Sequence, residues 1–149
     1  KNRTVKWRIE DTFNTDLRDE KADLFIRKHI PYNSFILQPG LENKFTRITL
    51  VGTETKERIT FDHCISFSVM NGGQTELPYL AVAELKSEGF PSSSPFVLAA
   101  KKMGIKSTAF SKYCMGNVLL RDLPKKNILK QKILLLNKIE NEYFKFNVS

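Results

Sequence analysis

Arg58, Thr60 and Asp62 alternate with Ile59 and Phe61, and Glu84 and Lys86 are likewise separated by one apolar residue. Alternate side chains of a strand share a face. The pattern therefore predicts a sheet with one greasy face and one face carrying charges. Arg47, in Phe45-Thr46-Arg47-Ile48-Thr49-Leu50, joins the charged set, and so do Lys6 and Arg8 if residues 3–9 form a strand. On a single curved sheet these five cations, Lys6, Arg8, Arg47, Arg58 and Lys86, converge on the concave side. Two like charges about 5 Å apart repel by roughly 3 kcal/mol at an effective dielectric near 20. A multivalent phosphate, gripped by forked guanidiniums and ammonium point charges, would relieve that repulsion. A solvated face with ordinary ion pairs explains the strand pattern equally well.

Glu84 has two readings. A carboxylate among cations can hold Mg or Mn together with substrate phosphate oxygens. It can also simply pair with Arg58 or Lys86. Ser111 and Lys112 sit where a helix is predicted to start. Its free N–H groups favour anions, so the pair can bind phosphate, or Ser111 can just cap the helix while Lys112 faces solvent. His63 lies on the apolar parity of its strand and reads as a structural imidazole. Trp7, Phe61 and Phe67 read as core. No nucleophile elbow, Cys–His signature or Walker loop is present, and an RNA-binding reading rests on charge alone.

The elements that must position these groups follow from periodicity and turn chemistry. After the strand at 3–9, Asn14-Thr15-Asp16 offers a helix cap and Pro31 ends the helix. Strands are expected at 44–52 and 56–69, joined through Gly52-Thr53-Glu54-Thr55. Asn71-Gly72-Gly73 is a turn, and residues 78–88 form the next strand. A helix is expected over 95–103, closed by Gly104, and another after Ser111. Residues 125–143 favour helix, although 132–136 could be a buried strand. The class is α+β, with an antiparallel sheet and helices outside.

The bulk numbers agree with one domain. The chain has 149 residues, of which 41% are hydrophobic, enough for a core. Twenty-four basic residues against 16 acidic give a formal charge of +8, which favours phosphate-rich partners. No apolar run is long enough for a membrane span. Cys64 and Cys114 are too few for a disulfide framework and read as reduced core thiols, which fits a cytoplasmic setting.

Three segments, taken in order, are similar to a known family. They are Glu57-Arg58-Ile59-Thr60-Phe61-Asp62, Ala83-Glu84-Leu85-Lys86-Ser87, and Ser92-Ser93-Ser94-Pro95-Phe96 leading to Phe110-Ser111-Lys112-Tyr113-Cys114-Met115-Gly116. Together they resemble the VTC domain, the polyphosphate polymerase domain of the triphosphate tunnel (CYTH-like) superfamily. The resemblance implies an antiparallel β-barrel tunnel lined by Arg, Lys and Glu. It also implies metal-dependent phosphoryl transfer from ATP to polyphosphate. Lys6, Arg47, Arg58, Lys86, Ser111 and Lys112 would contact phosphates, with Arg8 as a further candidate. Arg58 and Lys86 would carry the catalytic role, and Glu84 would bind Mn or Mg. ATP, polyphosphate or inorganic phosphate would be the ligands. The chain resembles the C-terminal part of such a domain. It lacks the family's Arg-x-Arg pair and first Glu-x-Lys strand, so an N-terminal half or a second chain is expected to complete the tunnel, activity is expected of the intact parent protein, and these 149 residues alone are expected to be inactive. A non-catalytic polyphosphate-binding module is the alternative, followed by a basic RNA-interaction domain.

Overall fold

The structure is a computed structural model. It describes residues 5–10, 19–70, 72–88, 93–124 and 126–147. The chain divides into two compact units, Lys1–Gly40 and Leu41–Ser149.

The first unit contains helix α1 (Glu20–His29) and a 3-10 turn at Ser34–Ile36. Asp19 caps α1, accepting from the Lys21 and Ala22 amides, and Ile30 ends it just before Pro31. The anticipated cap at 14–16 lies outside the described residues. Residues 5–10 form no strand despite their alternation. An alternating segment becomes a strand only with a ladder partner, and the described part of this unit supplies none. Trp7 accordingly is not core. It is half exposed, with its ring 4.5 Å from that of His29.

The second unit is built on an antiparallel sheet of β1 (Glu42–Val51), β2 (Glu57–Ser68), β3 (Gln74–Leu77) and β4 (Val82–Ser87). β2 is central. β1 runs along one flank, and β3 and β4 share the other. The strand expected over 78–88 is present only as β4, and β3 ahead of it was not expected. Pro78 has no N–H to donate to a ladder, so the chain leaves the sheet after Leu77, turns, and rejoins β2 at Val82. Among the described residues the sheet is not closed into a barrel.

β2 carries a bulge directly across from that break. The register steps from Thr46↔His63 to Lys44↔Ser66, which sets Cys64 and Ile65 opposite the single residue Phe45. Cys64 has φ of 52°, the left-handed conformation often found at such a bulge. The extra residue reverses the parity of β2. Arg58, Thr60 and Asp62 share a face with Ile65 and Phe67. The sheet therefore does not separate a charged face from a greasy one. A single face is charged at one end and holds the core at the other. The opposite face is the looser one: Ile48 and Leu50 are half exposed there, and Phe61 packs edge-on against Phe96.

The core joins Ile65 and Phe67 to Leu77, Leu80, Met115, Val118 and Leu136. Met115 and Val118 come from α3 (Lys112–Leu120), and Leu136 from α4 (Lys130–Asn147). The described part of the 125–143 segment is thus a 3-10 turn at Lys126–Leu129 leading into α4, and residue 125 lies outside the described residues. Gly116 lets α3 reach the sheet. A Cβ there would lie 2.6 Å from Leu41 Cδ2 and 2.7 Å from Phe67 Cδ1. Helix α2 (Pro95–Lys102) starts after buried Ser94, whose hydroxyl donates to Glu57 Oε2 at 3.1 Å rather than capping the helix. It closes through Gly104 at φ of 71°. Cys64 and Cys114 are free and exposed, not core thiols. No described helix is long and apolar enough to cross a membrane.

Candidate functional site

The charged end of the shared face is laid out by register. Arg47 stands opposite Asp62, Thr49 opposite Thr60, Thr60 opposite Glu84, and Arg58 opposite Lys86. Arg47, Thr49, Arg58, Thr60, Glu84 and Lys86 line one hollow of about 110 Å³. Three cations and one carboxylate thus surround two threonine hydroxyls.

The cations are not equivalent. Arg58 and Lys86 form a directly opposed like-charge pair, an arrangement that destabilises a bare sheet. Lys86 Nζ lies 3.4 Å from Glu84 Oε1, but both side chains are more than half exposed, so the contact contributes little. Among the described residues, no ion pair or hydrogen bond engages the Arg58 guanidinium. Arg47 is held firmly. Its Nε donates to Asp62 Oδ1 at 2.6 Å and its Nη2 to Oδ2 at 2.8 Å.

Asp62 is buried, at 3% exposure, and it also accepts from Lys112 Nζ. The Phe45 ring lies beside both cations, 5.2 Å from the Arg47 guanidinium carbon and 4.4 Å from Lys112 Nζ. The Arg47 contacts, with help from Lys112, hold the Asp62 carboxyl down at about 2 despite its burial. Asp62 in turn raises the Arg47 pKa.

Four of the anticipated site residues therefore come together: Arg47, Arg58, Glu84 and Lys86. Lys112 does not line the hollow. It begins α3, and its ammonium turns to Asp62 and Phe45. Ser111 caps α3, accepting from the Cys114 amide at 3.3 Å. Lys6 and Arg8 lie in the first unit, exposed and outside any strand. His63 is structural, with Nδ1 3.1 Å from the neighbouring Cys64 sulfur. Sequence reasoning placed Asp62 on the charged face and gave it no further part. Its burial depends on where α3 packs, and strand alternation carries no trace of that. Thr60 was already on the charged face by alternation, but Thr49 went unnoticed as a lining group, although its parity with Arg47 would have placed it there.

Among the described residues, no group of three His, Cys, Asp or Glu could hold a metal ion. A metal caged wholly by protein does not fit here. A metal carried by phosphate does fit, because Mg takes one or two carboxylates and leaves its other positions to phosphate oxygens and water. Glu84 is the carboxylate that lines the hollow.

Fold and hollow together define an α+β domain that presents a cationic, hydroxyl-floored sheet face. A family model described as the VTC domain matches residues 8–121, and the chain belongs to that family. Membership ties it to polyphosphate-related function in the broad sense. A comparison with curated proteins finds no match, and a comparison with solved structures finds none.

Proposed function

We propose that the hollow binds a chain of phosphates and that the protein transfers phosphoryl groups, extending polyphosphate from ATP with Mn or Mg. The supporting observation is the opposed Arg58–Lys86 pair in a hollow with a single carboxylate. Phosphate oxygens would replace water around both cations and remove their repulsion. Arg58 would grip two oxygens with its fork, and Lys86 would neutralise the charge that builds during transfer. Arg47 would fix the neighbouring phosphate, while Thr49 and Thr60 donate hydroxyl hydrogens from the floor. Glu84 would hold the metal, which would supply charge neutralisation to the phosphates. Lys6, Arg8, Ser111 and Lys112 remain proposed phosphate contacts. Completion of a tunnel by an N-terminal half or a second chain belongs to the same proposal.

The test is incubation of the full-length parent protein with ATP and Mn²⁺. Polyphosphate or released phosphate is expected, and its loss in Arg58→Ala and Glu84→Gln. No turnover, combined with tripolyphosphate binding that needs no metal, would favour the non-catalytic binding module instead. The single carboxylate of the hollow is the observation that keeps that second reading in play. RNA binding indifferent to tripolyphosphate would refute both.

A further inference from the structure

We propose that Asp62 is the positioning residue of this phosphate site, holding Arg47 in the hollow by one edge of its guanidinium. The inference rests on the phosphate reading above and deepens it. A buried carboxylate normally needs charged partners, and Asp62 has two, contributed by β1 and α3. Its two contacts to Arg47 engage Nε and one terminal nitrogen. Among the described residues nothing bonds the opposite edge of the guanidinium, and Arg47 lines the hollow. A guanidinium gripped along one edge cannot swing, so a phosphate meets an arginine already oriented, and less rotamer freedom is lost on binding. Lys112 completes the device from the other side. Its ammonium fixes the second Asp62 oxygen and ties the first turn of α3 to the sheet, with the Phe45 ring alongside. Asp62 does not touch the ligand in this scheme. It acts only through Arg47.

The proposal makes a prediction of unusual sign. Asp62 is an anion beside a site for a polyanion, so charge alone says that Asp62→Asn should tighten tripolyphosphate binding. Positioning says the reverse. Titration calorimetry with tripolyphosphate at neutral pH is expected to show five- to tenfold weaker binding for Asp62→Asn. On an Arg47→Ala background there is nothing left to position, and the same substitution should then leave affinity unchanged or tighten it. A purely structural role would not produce that reversal. Circular dichroism establishes that each variant is folded. If Asp62→Asn does not fold, Asp62→Glu replaces it. Glu keeps the charge but displaces the carboxylate by one methylene, and at least threefold weaker binding is expected. Unchanged or tighter binding in these single variants, while Arg58→Ala still abolishes it, would overturn the positioning role and leave the phosphate site standing. Absence of binding by the wild-type protein would overturn both.

Discussion

Acidification should remove stability that only Asp62 supplies. Its carboxyl is held at about 2, against an ordinary value of 3.8. A group whose folded pKa is depressed stabilises the fold above its unfolded pKa, and that contribution fades as pH falls toward the folded value. One pKa unit corresponds to about 1.4 kcal/mol. The contribution of Asp62 is therefore about 2 kcal/mol, intact at roughly pH 5 and mostly gone at roughly pH 2. The assay is urea unfolding, followed by far-ultraviolet circular dichroism, on wild type and Asp62→Asn at both pH values. Asp23 and Asp122, whose pKa values are also lowered, titrate in both proteins and cancel. The wild type should lose about 2 kcal/mol more than the variant between the two conditions. Equal losses in the two proteins would show that the Asp62–Arg47–Lys112 cluster does not carry the coupling assigned to it.

Other expectations follow from single sites. Arg58→Ala should weaken tripolyphosphate binding about tenfold or more, since a hydrogen bond to a charged group contributes roughly 1.5–3 kcal/mol; Arg58→Lys should recover only part of this, because the ammonium lacks the fork. Gly116→Ala should lower the unfolding free energy by about 1–3 kcal/mol in urea titrations, through collision with Leu41 and Phe67. Phe67→Ala, in the fully buried core, should cost about 3–5 kcal/mol in the same titrations. Cys64→Gly should be tolerated, or should raise the thermal midpoint slightly, because the left-handed conformation costs a side-chain-bearing residue about 1–2 kcal/mol.

Much of this was legible in the residues. Alternation located β1, most of β2 and β4, and it placed Arg47, Arg58, Glu84 and Lys86 on one face. The cap at Ser111 and the stop at Gly104 followed from local backbone chemistry. Four things were hidden, each for a physical reason. The alternation of residues 5–9 is real, but a ladder needs a partner that pattern cannot provide. Pro78 was read as the start of a strand, although its missing N–H keeps the chain out of the ladder until Val82. The bulge at Cys64 was invisible, because an extra residue preserves the look of alternation while inverting its meaning. Phe67, assigned to the face opposite Arg58, sits on the same one. The burial of Asp62 required knowing where α3 lands, which no local signal encodes.

That inversion at Cys64 makes the length of the central strand count for more than its side chains. With the extra residue, guanidiniums and phenyl rings look the same way, and one surface can both anchor α3 and receive an anion. Excising Cys64 alone would turn either Ile65 and Phe67 or Arg58 and Asp62 to the back of the sheet. Point changes along this stretch should accordingly be forgiven far more readily than a single-codon deletion. Engineers grafting the anion-binding half onto another scaffold would have to carry the kink with it.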